Sequence, residues 1–434
     1  MKTRFAALLL LLAAILACGV SRADKRYQGE ASNQKNGGAK PQRDDLALVG
    51  AKIYPSPTEP AIENGSILVH DGRIAAVGPT STVKIPKGAT VIDCKGLVVT
   101  AGFWNSHVHI LTPGLLHADK LSSEQIGAQL EEMLTRWGFT TVFDIASVLE
   151  NTNLIRRRIE SGEVKGPKIL TVGEPLWAKG GTPIYARGFL EANHISIADV
   201  ETSGQGVERV RKQVQDGADG IKIFAGSIEQ GFVLIMPLDM AKAIVAEAHR
   251  AGKPVFAHPS NNEGLEVALK SGVDILAHTT PNDELWTAEF AERLKGAHLA
   301  LIPTLTLWDV EGKRGSMPPE AIEKWINRGV QQLRTYSEAG GQILFGTDVG
   351  YIDQFDTSEE FTWMSRAGMS FQQILASLTT NPAERFGYAS HSGRIAKGMD
   401  GDLVVLSADP GQDAAAFSKV RYTVRGGRII HKEQ

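Results

Sequence analysis

Between residues 99 and 390 the chain repeats one arrangement eight times: a short apolar run followed by an amphipathic stretch of helical length. The runs are "LVVTAGFWN", "TTVFDIA", "KILTVGE", "GIKIFAG", "KPVFAHP", "VDILAHT", "ALIPTL" and "QILFGTD". Helices are expected at 122–137, 199–215, 237–251 and 370–379, among others. This alternation argues for parallel strands joined by crossover helices. Eight such units in about 290 residues fit a closed (β/α)8 TIM barrel, whereas a doubly wound open sheet ordinarily needs fewer strands. Residues 174–198 interrupt the third unit with Gly, Pro and aromatic residues. They read as a long loop at the mouth of the barrel.

The two ends of the chain share a different texture. "LALVGAKIY", "SILVHDGRIAAVG" and "TVIDCKGLVV" are short and β-like, and Asp71-Gly72 is a hairpin signal. "DGDLVVLSADP" and "VRYTVRGGRIIHKE" repeat this pattern near the C-terminus, with Gly426-Gly427 as another turn. Residues 45–98 plus 391–434 are therefore expected to form one small β-sandwich-like domain beside a barrel of residues 99–390. A chain of 434 residues accommodates both.

The first residues place Lys2 and Arg4 before a 13-residue apolar run, Phe5 to Ala17, followed by small residues. That is the layout of a signal peptide over 1–23. The run is shorter than the roughly 20 residues that span a bilayer. Two processing sites compete, a lipoprotein box ending at Cys18 and an ordinary cleavage after Ala23. Residues 24–44 read as a flexible linker. Export to the periplasm or cell envelope is expected in either case, with membrane attachment only through a lipid on Cys18. The one other cysteine, Cys94, then has no disulfide partner. A net charge of −3, from 46 Lys+Arg against 49 Asp+Glu, provides no basic surplus for nucleic acid.

Barrel enzymes place their chemistry at the carboxyl ends of strands. Here the first run ends with His107 and His109, the fourth carries Lys222, the fifth ends at His258, the sixth at His278 and the eighth at Asp348. Residues i and i+2 of a strand share a face, so His107 and His109 can address one centre. Neutral imidazole and carboxylate both suit divalent transition metals. A lysine inside an apolar strand is costly unless neutral. A neutral amine can take up carbon dioxide as a carbamate, whose two oxygens could bridge two ions. Taken singly, each histidine reads as a hydrogen-bonded strand end, Asp348 as a helix cap and Lys222 as an ion-pair partner. The joint pattern favours a metal site.

His117, His194, Trp177, Tyr185, Arg187, Trp308 and Tyr351 fall in mouth loops, where substrate contact and packing are both open readings. His70, His249, His298, His391 and His431 read as structural or exposed. "TTNPAERFG" places Asn381-Pro382 at a helix start, an architectural feature.

Together, "TVIDCKGLVVTAGFWNSHVH", "GIKIF", "VFAHPSNNEG", "DILAHTT", "LFGTDVG" and "GRIAKGMDGDLVVL" resemble the amidohydrolase superfamily in its imidazolonepropionase-like and prolidase-like branch. The resemblance implies that His107, His109 and Asp348 hold one metal, that His258 and His278 hold a second, and that Lys222, as N6-carboxylysine, bridges them. Zinc is the first expectation, with iron, manganese or nickel as alternatives. It also implies hydrolysis of an amide, cyclic amide or peptide C–N bond by metal-activated water, with Asp348 taking the proton. The alternatives are a mononuclear imidazolonepropionase-like or deaminase-type hydrolase, an esterase or lactonase, and a non-enzymatic envelope binding protein. The expected partner is a small molecule or short peptide, and a homo-oligomer is compatible. Two departures stand out: Asn105 replaces an aspartate common before the histidine pair, and Asn261 stands where deaminase relatives carry glutamate. The second disfavours deamination.

Overall fold

The computed structural model describes residues 45–433. The leader, Cys18 and the linker predicted over residues 1–44 lie outside the described residues.

Five strands come first: β1 (Leu46–Ile53), β2 (Ile62–His70), β3 (Arg73–Pro79), β4 (Thr90–Asp93) and β5 (Val98–Ala101). The β2–β3 turn is Asp71-Gly72, both with positive φ (45° and 80°), the primed hairpin geometry that Asp-Gly favours. The run "LVVTAGFWN", expected as one strand, is two. It breaks at Gly102, where a Cβ would collide with the Thr140 side chain. Residues before Gly102 pair in the terminal sheet, and residues after it open the barrel.

The barrel strands are β6 (Phe103–Val108), β7 (Phe139–Asp144), β8 (Lys168–Thr171) and β9 (Ile221–Phe224), then a hairpin β10 (Gly226–Ile228) and β11 (Val233–Ile235), then β12 (Val255–His258), β13 (Ile275–Ala277), β14 (Ala300–Ile302) and β15 (Gln342–Ile343). They pair in parallel as β6-β7-β8 and β15-β14-β13-β12-β9. Backbone hydrogen bonds cross both seams. Leu176 N–H donates to Lys222 O (2.8 Å) and Asp219 N–H to Thr171 O (2.6 Å) on one side. Ser106 N–H donates to Phe345 O (2.7 Å) and Asp348 N–H to His107 O (2.9 Å) on the other. Eight parallel positions thus follow one another around a TIM-type barrel.

The chain then returns through β16 (Leu403–Leu406), β17 (Val420–Arg425) and β18 (Arg428–Lys432). β16 pairs antiparallel with β5, which completes an eight-stranded sheet in the order β18-β17-β16-β5-β1-β2-β3, with β4 on β1. Leu46, Leu48, Ile67 and Val69 pack on one face of this sheet, and Ala47 and Leu68 on the other, as strand alternation requires. The barrel interior is filled by Trp104, Phe143, Phe256, Ile275, Ile302 and Leu344. This apolar plug lies beneath the polar strand ends. Among the described residues no helix is long and apolar enough to cross a membrane.

Candidate metal centre

His107 lies within β6 and His109 just beyond it; Lys222 is the second residue of β9; His258 closes β12; and His278 follows β13. Asp348 ends the eighth run, beyond β15. All six are buried, at 9% exposure or less, and all six line one cavity of about 500 Å³. His278 (φ 81°) and Asp348 (φ 63°) adopt left-handed backbone. That conformation costs on the order of 1 kcal/mol or more for a non-glycine residue and concentrates at functional sites. At Asp348 it is held by its N–H donating to His107 O (2.9 Å), and at His278 by its N–H donating to Ile302 O (2.9 Å). Gly350 (φ 100°) lies against the His109 carbonyl, which a Cβ would strike. Gly350→Ala is expected to destabilise the fold by about 2–4 kcal/mol. An unchanged chemical-denaturation midpoint would contradict this packing.

The donor atoms converge. His109 Nδ1 is 2.8 Å from Ala146 O and must donate there, because a carbonyl only accepts. In the neutral ring Nε2 therefore carries a lone pair, yet it lies 2.7 Å from Asp348 Oδ1 and 3.2 Å from His107 Nε2. His107 Nε2 is itself 3.0 Å from Asp348 Oδ1. Electron-pair donors crowded in this way call for a shared cation. His278 Nδ1 is fixed by Thr304 Oγ1 at 2.7 Å, which leaves its Nε2 3.9 Å from Asp348 Oδ2. The His258 ring lies 4.8 Å from the His278 ring and stacks on Phe224. Among the described residues, ligand atoms of His107, His278 and Asp348 all lie within 4.8 Å of one another, a possible site for a divalent ion.

The electrostatics suit ligands more than structural polar groups. Burial pushes His107 down to about 4, against the pull of Asp348. Burial and then Lys222 push His258 down to about 3. Burial opposes ionisation of Asp348, but His107, His109 and His278 overcome that penalty and hold its carboxyl well below the usual carboxylate range. Burial brings Lys222 down to about 7 while Asp348 pulls the other way, so a substantial share of its amine is neutral near pH 7.

The histidine shifts predict acid sensitivity. The unfolded chain binds these protons near 6.5, and the folded metal-free protein binds them only near 4 and 3. Between those values the unfolded state holds more protons, so stability falls as pH drops through that window. For His107 the loss is of the order of 3 kcal/mol. The melting temperature of metal-free protein is expected to fall from pH 6.5 to 4, and less steeply in His258→Asn. Parallel curves for the two proteins would remove His258 from this account.

Neighbouring residues hold the candidate ligands in place. Asn105 is fully buried, donates from Nδ2 to Thr347 Oγ1 (2.8 Å) and accepts from His107 N–H (3.2 Å), tying the first strand to the eighth. Asn261 caps the helix Asn262–Ser271 by accepting from Gly264 N–H at 2.9 Å, a structural role. Asp144, at the end of β7, accepts from Thr171, Thr152 and Ser147 hydroxyls and fixes the turn carrying Ala146 O. Sequence reading missed Glu360. It is 1% exposed and accepts from Leu305 N–H (2.9 Å), Thr306 N–H (2.8 Å) and Thr306 Oγ1 (3.0 Å). It thereby caps the helix Leu305–Arg314 from outside and secures Thr304 beneath His278. Its sequence signal, a glutamate in the first turn of another helix, is indistinguishable from ordinary helix capping.

Of the mouth-loop candidates, Trp177, Tyr185, Trp308 and Tyr351 line the cavity. His117, His194 and Arg187 do not line it, and Arg187 pairs with Glu229 at 2.6 Å. His249, His391 and His431 pair with Asp274, Asp400 and Glu131, away from the site. Asn381 donates to Ile343 O at 2.9 Å, a structural tie.

A model of the amidohydrolase family matches residues 98–430. The chain is 25% identical to an ochratoxinase of Aspergillus niger over 426 residues, covering 87% of this chain and 85% of that protein. A solved prolidase complexed with N-methylphosphonate-L-proline superposes with a TM-score of 0.74 at 25% identity, over 90% of this chain and 100% of the other. A putative prolidase from Bifidobacterium longum shares the fold, with a TM-score of 0.75 at 24% identity over 90% and 95% of the two chains.

Proposed function

Because the chain belongs to the amidohydrolase family and is a hydrolase, we propose that it cleaves a carboxamide C–N bond in a small molecule bearing apolar groups. The observation that carries this reading is the convergence of His107 and His109 ring nitrogens on the Asp348 carboxylate at the base of an apolar cavity.

His107, His109 and Asp348 would hold one divalent ion, and His258 and His278 a second. Carboxylated Lys222 would stand between them, with zinc the first expectation. Such ions, when bound, lower the pKa of water and polarise a carbonyl. The protein's own groups do the rest. Asp348, ionised at neutral pH, accepts a proton on its carboxylate and can return it to the departing nitrogen. Ala146 O fixes the tautomer of His109, and Thr304 holds the orientation of the His278 ring. The aromatic wall excludes competing water.

The relatives support amide chemistry. A phosphonate on the nitrogen of proline has the tetrahedral geometry of water addition to an amide carbonyl. Asn261, turned into a helix cap, is placed as a structural residue and so weakens the deaminase alternative.

The test is elemental analysis of the purified protein followed by a hydrolysis screen of N-acyl amino acids, neutral amides, dipeptides, lactams and lactones. Two equivalents of divalent metal and chelator-sensitive amide cleavage are expected. Ammonia release from aminopurines with no amide cleavage would replace this reading with deamination.

A further inference from the structure

The wall of the cavity above the six polar residues distinguishes among amides. Trp177, Phe189, Trp308 and Trp325 contribute large apolar surfaces. Three polar groups beside them are engaged within the protein: Ser260 Oγ donates to Gly226 O (2.9 Å), Thr279 Oγ1 accepts from Trp308 Nε1 (2.9 Å), and Asn282 Oδ1 accepts from Trp325 Nε1 (3.1 Å); the Trp177 Nε1 donor is buried and neutral. With their N–H groups engaged, the Trp308 and Trp325 indoles offer carbon faces. Apart from the six, the single charged residue among the described lining residues is Glu311, an anion. Its carboxylate accepts from Tyr351 Oη (3.1 Å) and Arg314 Nη1 (2.9 Å), so Arg314 is committed to it. The mouth-loop cation Arg187 is held by Glu229 and Thr182 O.

We propose that this site takes an uncharged amide with aromatic or bulky alkyl groups and rejects one with a free carboxylate on the leaving side. The inference rests on the amide-hydrolase reading above and narrows it away from unblocked peptides. A carboxylate entering here would lose its hydration, find no free cation on the wall, and face Glu311. A neutral aromatic group loses little hydration and gains ring contacts.

The test is a matched pair sharing one scissile bond, N-phenethylbenzamide and N-benzoyl-L-phenylalanine. Binding to the metal-loaded protein is read by quenching of intrinsic tryptophan fluorescence, and turnover is read separately. The neutral amide is expected to bind about tenfold more tightly or better. Glu311→Gln, which removes the anion and frees Arg314, should shrink that ratio at least about threefold. A purely structural role for Glu311 would move both affinities together. Equal or tighter binding of the carboxylate compound, or binding of neither, overturns the proposal. The two readings separate: equal turnover of both compounds keeps amide hydrolysis and removes the selectivity, whereas selective binding without turnover keeps the selectivity and removes amide hydrolysis.

Discussion

Asp348→Asn is expected to lower kcat/KM for amide cleavage by about 10³-fold or more while leaving the fold in place. Asparagine matches aspartate in shape, so the left-handed turn and the hydrogen bond from its N–H to His107 O (2.9 Å) are retained. What changes is the charge and the direction of hydrogen bonding. Asp348 Oδ1 lies 3.0 Å from His107 Nε2 and 2.7 Å from His109 Nε2, positions where only an acceptor is useful to a cation. The variant also has no carboxylate to accept the proton of water. Burial already holds His107 down to about 4, so the loss of the carboxylate strands no charge on that ring. Circular dichroism and the metal-free melting temperature should therefore stay close to those of the parent. Turnover within tenfold of the parent would remove Asp348 from the chemistry.

The same residues show what a sequence can reveal of such a site. Each ligand candidate ends or interrupts an apolar run, and in a parallel barrel the end of a run is also a place in space. His107, His258, His278 and Asp348 could therefore be gathered without coordinates. Lys222 was visible because a lysine inside "GIKIFAG" conflicts with burial. The signal failed where a feature depends on a distant contact. At the Gly102 break a Cβ would collide with the Thr140 side chain, 38 positions later in the sequence, whereas the local run reads as continuous strand. Glu360 reaches the start of the Leu305–Arg314 helix from the next unit. Its role exists only once the barrel has closed. The eighth run is intermediate: its ladder covers only Gln342–Ile343, and Phe345 to Asp348 are fixed by bonds to β6. Its polar end is legible in the sequence, but its pairing is not.

Lys222→Ala separates a bridging role from a merely buried lysine. The side chain is 2% exposed on a strand flanked by Ile221 and Ile223, both fully buried. Burial brings its amine down to about 7, and the remaining charge depends on Asp348. A lysine kept for stability in this position would be a poor choice, since a buried cation is often neutral or unfavourable against an apolar residue of similar volume. If it becomes an anionic carbamate, its two oxygens supply the negative charge that the neutral His258 and His278 cannot. The variant is then expected to fall from two bound equivalents of metal to one or fewer, with amide turnover down about 10²–10⁴-fold. Loss of the long side chain should change the metal-free melting temperature little, because removal of the buried charge offsets the cavity. Carbon-13 bicarbonate should give a carbamate signal in the parent and none in the variant, and added short-chain carboxylic acids should partly restore metal uptake. A Lys222→Ala protein that still holds two equivalents would leave the lysine as packing and transfer the burden of the second ion to His258 and His278 alone.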